Sequence, residues 1–180
     1  VNGTSTTSAP VAPGTLLETR LTVANSADSS SDLAYTPATP IRVIDYLLPQ
    51  EIVGGTGGSV AITQGAGSWS CSVGPVPGSA TPPTPAHTVM VTCATTGSGT
   101  LLRGNSLSLR FTSEVAPMAD TAPPVALLNR ACTGGSALTA LGLGPAAGPQ
   151  PADTNTGNDC DDAGTGLVAT PIDDDSARVD

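Results

Sequence analysis

Lysine is absent from this chain of 180 residues, which also has a single histidine and few aromatic side chains. Its six basic residues are all arginine and face 15 acidic residues, for a net charge of -9. Nucleic-acid binding needs clustered cations that contact phosphates, so this balance argues against a nucleic-acid partner. It disfavours an anionic membrane surface for the same reason. Without lysine, the chain also lacks the amine that an intramolecular Lys–Asn cross-link requires.

Bulky apolar side chains are scarce as well. Leu, Ile, Val and Phe make up roughly a fifth of the chain, whereas glycine and proline are abundant. No apolar run is long enough to span a bilayer, so we expect no membrane insertion. A thin core leaves little net stability after the loss of chain entropy, which makes covalent cross-links valuable.

Four cysteines, Cys71, Cys93, Cys132 and Cys160, occur without a C-x-x-C pair. With one histidine in the chain, this pattern disfavours a zinc site and favours two disulfides, which indicate an oxidising, extracellular setting. Of the three possible pairings, Cys71–Cys93 and Cys132–Cys160 require the least long-range arrangement. Each bond is expected to stabilise the fold by roughly 3 kcal/mol.

Two strands, Trp69–Val73 and His87–Cys93, are predicted on either side of a proline-rich loop, Gly74–Ala86. Side chains alternate along a strand, and this places Cys71 and Cys93 in the inward, apolar phase. Inward cysteines on adjacent antiparallel strands lie close enough for a disulfide. The hairpin is therefore predicted to form the stapled centre of a β-sandwich.

Apolar and polar residues alternate elsewhere too, and almost no helical period is found. A single all-β domain over residues 1–180 is predicted, with a lead-in at 1–14 and an acidic tail at 173–180. One helical turn is expected at Ala137–Leu143, and a long loop at Pro145–Gly166. Further strands are expected at Thr15–Asn25, Ile41–Leu47, Ser59–Thr63, Ser106–Val115, Val125–Ala131 and Leu167–Ile172.

Several short motifs occur in a characteristic order: Val11-Ala-Pro-Gly14 before Leu21-Thr-Val-Ala-Asn25, Val43-Ile-Asp-Tyr-Leu-Leu-Pro49, Trp69-Ser-Cys71 with Val91-Thr-Cys93, Gly104-Asn-Ser-Leu-Ser-Leu109, Leu128-Asn-Arg-Ala131 and Asp153-Thr-Asn-Thr-Gly-Asn158. This set resembles the Ig-like "conserved repeat" domain found in tandem in large bacterial surface proteins. The resemblance implies an Ig-like β-sandwich of about seven to nine antiparallel strands that serves as a spacer or stalk. The chain departs from the family in its loops at 74–86 and 134–151, which look like insertions, and in the added pair Cys132 and Cys160.

No cofactor is expected, and an oxygen-rich loop is interpreted first as a solvated turn whose Asp and Asn residues suit its geometry. Calcium is the alternative, because hard cations suit such loops, but the spacing is not that of an EF-hand. A second acidic run, Asp173–Asp175, would either hold a cation between tandem domains or act as a soluble linker. The candidate ligands of the first site are Asp153, Asn155, Asp159, Asp161 and Asp162.

Catalysis is not expected. The single histidine, His87, has no nucleophile elbow to serve, and an exposed histidine at the start of a strand is the simpler interpretation. Trp69 is expected to pack on the disulfide in the core, with sugar stacking as the alternative.

The leading functional hypothesis is a structural one, a secreted subunit or tandem repeat of a bacterial cell-surface filament, stalk or adhesin. Neighbouring copies would join through terminal segments 1–13 and 168–179, with Val168, Ile172 and Val179 as candidate subunit contacts. The alternative is an adhesive module that binds a glycan or a host protein through its inserted loops.

Overall fold

The structure is a computed structural model, and every regular element that it describes is a β-strand. It describes residues 10–29, 31–54, 60–65, 68–77, 87–119, 122, 125–133 and 160–169. The predicted all-β class is confirmed for these residues. The strands are β1 (Pro10–Val11), β2 (Leu16–Ala24), β3 (Leu33–Tyr35), β4 (Arg42–Leu47), β5 (Glu51–Ile52), β6 (Ile62–Gln64), β7 (Trp69–Pro75), β8 (Val89–Thr95), β9 (Gly99–Leu101), β10 (Ser106–Val115), β11 (Val125–Cys132) and β12 (Cys160–Ala169).

The larger sheet has six strands in the order β1-β12-β11-β4-β8-β7. All of its pairs are antiparallel except β1 with β12, which is parallel, so the expectation of only antiparallel strands is wrong there. The hairpin of β7 and β8 forms as predicted but lies at one side of the sheet, with β7 outermost, and not at its centre. Ser70 and Ser72 are exposed, as their outward phase in β7 predicts.

The second sheet is built around β10, which pairs along its length with β2 and, on its other side, with β5 and β6. The predicted strand Ser106–Val115 is confirmed residue for residue, and Thr15–Asn25 is confirmed to within one residue at each end. β3 and β9 form a separate two-stranded sheet.

One core joins the two larger sheets. Val43 and Val91 of the six-stranded sheet lie in the same fully buried cluster as Leu109 and Phe111 of β10. These residues occupy inward positions in strands where apolar and polar residues alternate. The two-residue period of the sequence therefore determines which face of each strand packs into the core. Burial of each such side chain contributes about 1.5–3 kcal/mol. The sheets therefore pack face to face around one apolar layer, as in a β-sandwich.

β4 is buried on both faces, and its buried residues are apolar or aromatic except for Asp45, whose carboxyl group is also buried. Val43 faces the main core, whereas Ile44 and Tyr46 form a second cluster with Cys132 on the opposite face. Burial raises the pKa of Tyr46, and the positive charge of Arg130 partly offsets that rise. β4, in the middle of the larger sheet, is thus shielded from water on both faces.

The last strand begins earlier than predicted. β12 starts at Cys160, so the predicted loop that reaches Gly166 and the predicted strand start at Leu167 are both wrong. The first half of β12 contains glycines and carboxylates without alternation, and it becomes a strand by pairing with β11 across a register shift. The helical turn expected at Ala137–Leu143 lies outside the described residues.

A tight turn connects the two larger sheets between β1 and β2. Gly14 adopts a φ of 79°, a left-handed conformation that glycine allows without a steric penalty. Its backbone N–H donates to the carbonyl of Val115 at 2.8 Å, which ties the turn to the end of β10. Pro13 and Gly14 form this turn.

Candidate functional site

The candidate functional site is the side of β2 that has no partner strand among the described residues. Within the described part of the chain, this strand pairs only with β10, over nine residue pairs. β7 is also paired on one side only in those ranges, but it ends in Pro75, which has no N–H to donate. An open strand presents alternate unpaired N–H and C=O groups, so it can template the addition of another strand.

Charged residues line the outward face of β2 and β10. The Arg110 Nη1 donates to Glu18 Oε1 at 2.8 Å, and the Thr63 hydroxyl donates to Glu18 Oε2 at 3.4 Å. Both members of the ion pair are partly exposed, so its stabilising effect is small, roughly 0–1 kcal/mol. The pair nevertheless fixes the position of the Arg110 guanidinium over the sheet.

Arg20 stands directly opposite Arg110 in the strand register. Like charges at directly opposed positions destabilise a strand pair. Glu18 neutralises Arg110, whereas Arg20 is exposed and forms no ion pair with any residue in the ranges that the structure covers. Arg20 is therefore a cation without an ion pair among the described residues, on a face that also carries the exposed carboxylate of Glu114 and on a protein whose net charge is -9.

Two large apolar side chains are exposed at the far end of the same face. Leu16 is 71% exposed and Ile52 is 48% exposed, and both pair with Glu114, from opposite sides of β10. The three residues thus form one rung across β2, β10 and β5, with an exposed carboxylate at its centre. Nothing in the sequence distinguishes Leu16, Glu114 and Ile52 from other outward-facing strand residues.

The described chain enters and leaves the larger sheet along one side. β1 and β12 run in the same direction, with Pro10 opposite Val168 and Val11 opposite Ala169. The chain therefore arrives at one end of this pair and departs from the other end. Val168, a predicted subunit contact, is paired within its own chain with Pro10 and Ala126. The other predicted contacts, Ile172 and Val179, lie outside the described residues.

The predicted disulfide between Cys71 and Cys93 is present. The two residues are directly opposed in the register, with Cα atoms 4.1 Å apart, a spacing typical of a non-hydrogen-bonded pair. Trp69 is only 4% exposed and belongs to the same core cluster as Cys93, as predicted. Its ring is therefore shielded in this structure, which is inconsistent with sugar stacking.

The second cysteine pair lies in the same sheet. Cys132 is disulfide-bonded, and its register partner across β11 and β12 is Cys160. Cys132 also pairs through its backbone with Ile44 of β4. This register agrees with the predicted Cys132–Cys160 bond.

The candidate calcium ligands do not form one described loop. Asp161 and Asp162 lie in β12, opposite Ala131 and Arg130 in the strand register. The other three, Asp153, Asn155 and Asp159, lie outside the described residues, as does the acidic run 173–175. Among the residues that can be described, no group of three or more His, Cys, Asp or Glu residues could hold a metal ion.

His87 is buried, with 3% of its surface exposed, so the expectation of an exposed strand-end histidine is wrong. It precedes β8 and lies at the end of a loop of which residues 78–86 are outside the described residues. The inserted loop at 134–151 also falls outside them.

A buried carboxylate at Glu51 was not predicted. Burial raises the pKa of Glu51 to about 7, although a hydrogen bond from the Leu48 backbone lowers it in part. Neither Glu51 Oε2 nor the buried Ser113 Oγ has a hydrogen-bond partner in the structure. Glu51 sits between Gln50 and Ile52 with no pattern that marks it as inward, and only its pairing with Val115 of β10 reveals this.

Comparison of the chain with protein-family models gives no match, and comparison with curated proteins gives no significant match. In the described ranges, there is no helix with the length and apolar character to cross a membrane.

Proposed function

We propose that this protein is a structural, non-catalytic module of the bacterial cell surface, a subunit or tandem repeat of an extracellular filament, stalk or adhesin. It has an Ig-like β-sandwich fold and joins neighbouring copies through its terminal segments. It uses no cofactor for this role, and its partners are other copies of itself or adjoining domains of the same polypeptide.

The parallel pair of β1 and β12 is the observation that carries this proposal. Because the strands are parallel, the start of β1 at Pro10 and the end of β12 at Ala169 lie at opposite ends of this pair. A module with this geometry continues a line of copies without the chain having to double back. A hairpin of two terminal strands would instead direct both segments to the same side.

The disulfides support an extracellular setting. Cys71 and Cys93 are bonded, and no free cysteine occurs among the described residues. Such bonds persist outside the reducing cytoplasm, where they compensate for a small apolar core. The open side of β2 supplies a surface for strand addition, in which main-chain hydrogen bonds hold a neighbour's segment.

Electron microscopy of the purified full chain, kept under non-reducing conditions, tests the proposal. Filaments or regular linear arrays are expected across a range of protein concentrations, together with a sedimentation profile that shifts with concentration. Dispersed single particles at every concentration, together with selective binding on a glycan array, would instead support the adhesive-module alternative.

A further inference from the structure

The edge strand β2 exposes Arg20, whose positive charge forms no ion pair within the described part of its own sheet. Gln64, Arg110 and Arg20 form one rung across β6, β10 and β2, and Arg20 is its outermost member. The Glu18 carboxylate accepts from Arg110 Nη1 at 2.8 Å and balances the charge of the inner guanidinium, although the buried Arg110 Nε has no hydrogen-bond partner in the structure. Arg20 faces solvent beside the open side of the strand, where a further strand would supply the next member of the rung.

Charges on an edge strand normally hinder unspecific pairing. An added strand with an apolar residue beside Arg20 would desolvate that guanidinium without compensation. A strand with a carboxylate at that position would instead complete the rung with a pair of opposite charges, which favours a cross-strand contact. The open side of β2 is thus selective for an acidic segment and not simply closed to pairing.

The chain contains a segment of that kind directly after β12. Residues 170–180 include Asp173–Asp175, three consecutive carboxylates, and the segment is long enough to run beside the nine residues of β2. Alternate strand residues share a face, so a run of three places at least one carboxylate on the Arg20 face in every register that brings the run to this rung. β12 itself is already paired on two sides, by β1 and β11, and cannot be the donated strand.

We infer that segment 170–180 of a neighbouring copy adds to the open side of β2, with a carboxylate of Asp173–Asp175 paired to Arg20. The inference rests on the proposed function and names the two surfaces that assembly uses. Main-chain hydrogen bonds supply most of the affinity, whereas the exposed charge pair selects the partner segment and its register. Donor and acceptor surfaces differ, so the contact is heterologous and each added copy exposes a new acceptor; the rotation between copies then decides between an open filament and a closed ring.

Charge exchange in the full chain tests this contact. Arg20→Glu alone and the triple variant D173K/D174K/D175K alone should each weaken self-association about tenfold or more, because each places like charges together. A chain that carries both changes should associate as the wild type does. A mixture of the two separately changed proteins should also associate, with the copies alternating, because each protein retains one surface that suits the other.

Two controls separate charge at this rung from net charge. Arg103→Glu makes the same change in charge in the exposed turn between β9 and β10, at the far end of β2 from Leu16 and off the Arg20 rung, at the cost of a 3.9 Å ion pair with Asp32 and a 3.4 Å hydrogen bond to the Ser29 carbonyl, and should leave association unchanged. Arg20→Lys should retain most of it. Circular dichroism and thermal unfolding of each variant establish that the monomer remains folded.

The outcomes distinguish this contact from the proposed function itself. Filaments from the wild type and equally from both charge-reversed proteins would overturn the contact and leave the proposed function standing. Recovery in the doubly changed chain but not in the mixture would show that the segment docks on its own copy, which overturns the contact between copies. A wild type that forms no polymer under any condition would overturn assembly between separate copies, which is the filament-subunit form of the proposed function.

Discussion

Glu51 lies opposite Val115 in the short pairing of β5 with β10, and its carboxyl group is buried in the core with one oxygen that has no hydrogen-bond partner in the structure. A carboxylate in this position costs free energy, because burial removes its hydration shell without full compensation. This unfavourable contribution to the free energy of folding lies where the chain leaves β4 and joins the second sheet.

The stability of the protein should depend on the protonation of Glu51. Its folded-state pKa is raised from 4.5 to about 7, so between these values the folded protein binds a proton that the unfolded chain has released. The free energy of unfolding should therefore fall as the pH rises from 4.5 to 7, by up to about 3 kcal/mol, and then level off with respect to this group. Glu51→Gln should remove this slope and be more stable than the wild type at pH 8.

Urea unfolding of the two proteins at a series of pH values measures this difference. Glu114→Gln serves as the control, because Glu114 is an exposed carboxylate on the same pair of strands. Parallel pH profiles for the wild type and Glu51→Gln would contradict the assignment.

The Cys71–Cys93 bond should contribute substantially to stability. It closes a separation of 22 residues in the sequence, and the double variant C71S/C93S should lose about 3 kcal/mol, because its unfolded chain gains freedom. Chemical denaturation under non-reducing conditions provides the measurement. Ser72→Ala, an exposed position on the same strand, should change the midpoint little. A double variant as stable as the wild type would show that the bond is dispensable.

The remaining cysteines should be joined to each other. Cys132 and Cys160 are opposed in the register of β11 and β12, so proteolysis without reductant should release a peptide that contains both. Mass spectrometry before and after reduction detects it as a single mass that separates into two. Peptides that link Cys160 to Cys71 or Cys93, or four free thiols in fresh protein, would refute the pairing.

Asn25 should act as a clasp between β2 and the loops beside it. Its side-chain amide donates to the carbonyl oxygens of Ser31 at 3.1 Å and Leu101 at 3.0 Å. Asn25→Ala should therefore lower the free energy of unfolding by about 1–2 kcal/mol, since the partly buried Leu101 carbonyl loses a donor. Thermal unfolding compares it with Asn105→Ala, a matched change at an exposed position in the neighbouring turn. Equal effects of the two changes would argue against the clasp.

The alternation of apolar and polar residues predicts which face of a strand is buried, but not which strands pair with each other. It located Ser106–Val115 and the inward phase of Cys93, because each depends only on residues within one strand. It placed the stapled hairpin at the centre, whereas the structure puts β4 between β8 and β11. Strand order is decided by pairing between distant segments, and local periodicity contains no record of it.

The candidate surfaces were harder to predict for a related reason. Cys160–Gly166 has no period of two, and it becomes a strand only through its partner β11. The significance of Arg20 likewise depends on the register that sets it opposite Arg110, which residue types alone do not reveal. The burial of His87 and Glu51 also follows from tertiary packing and not from any motif.

The side-by-side course of β1 and β12 has a mechanical consequence. In the proposed line of copies, tension would pull on β1 from its N-terminal end and on β12 from its C-terminal end. Because the two strands are parallel, they would slide lengthwise past each other. Their hydrogen bonds would then share the load in shear, whereas two strands peeled from a common end lose their hydrogen bonds in succession. β12 is also paired with β11 across much of its length, so the force passes into the body of the sheet along its strands.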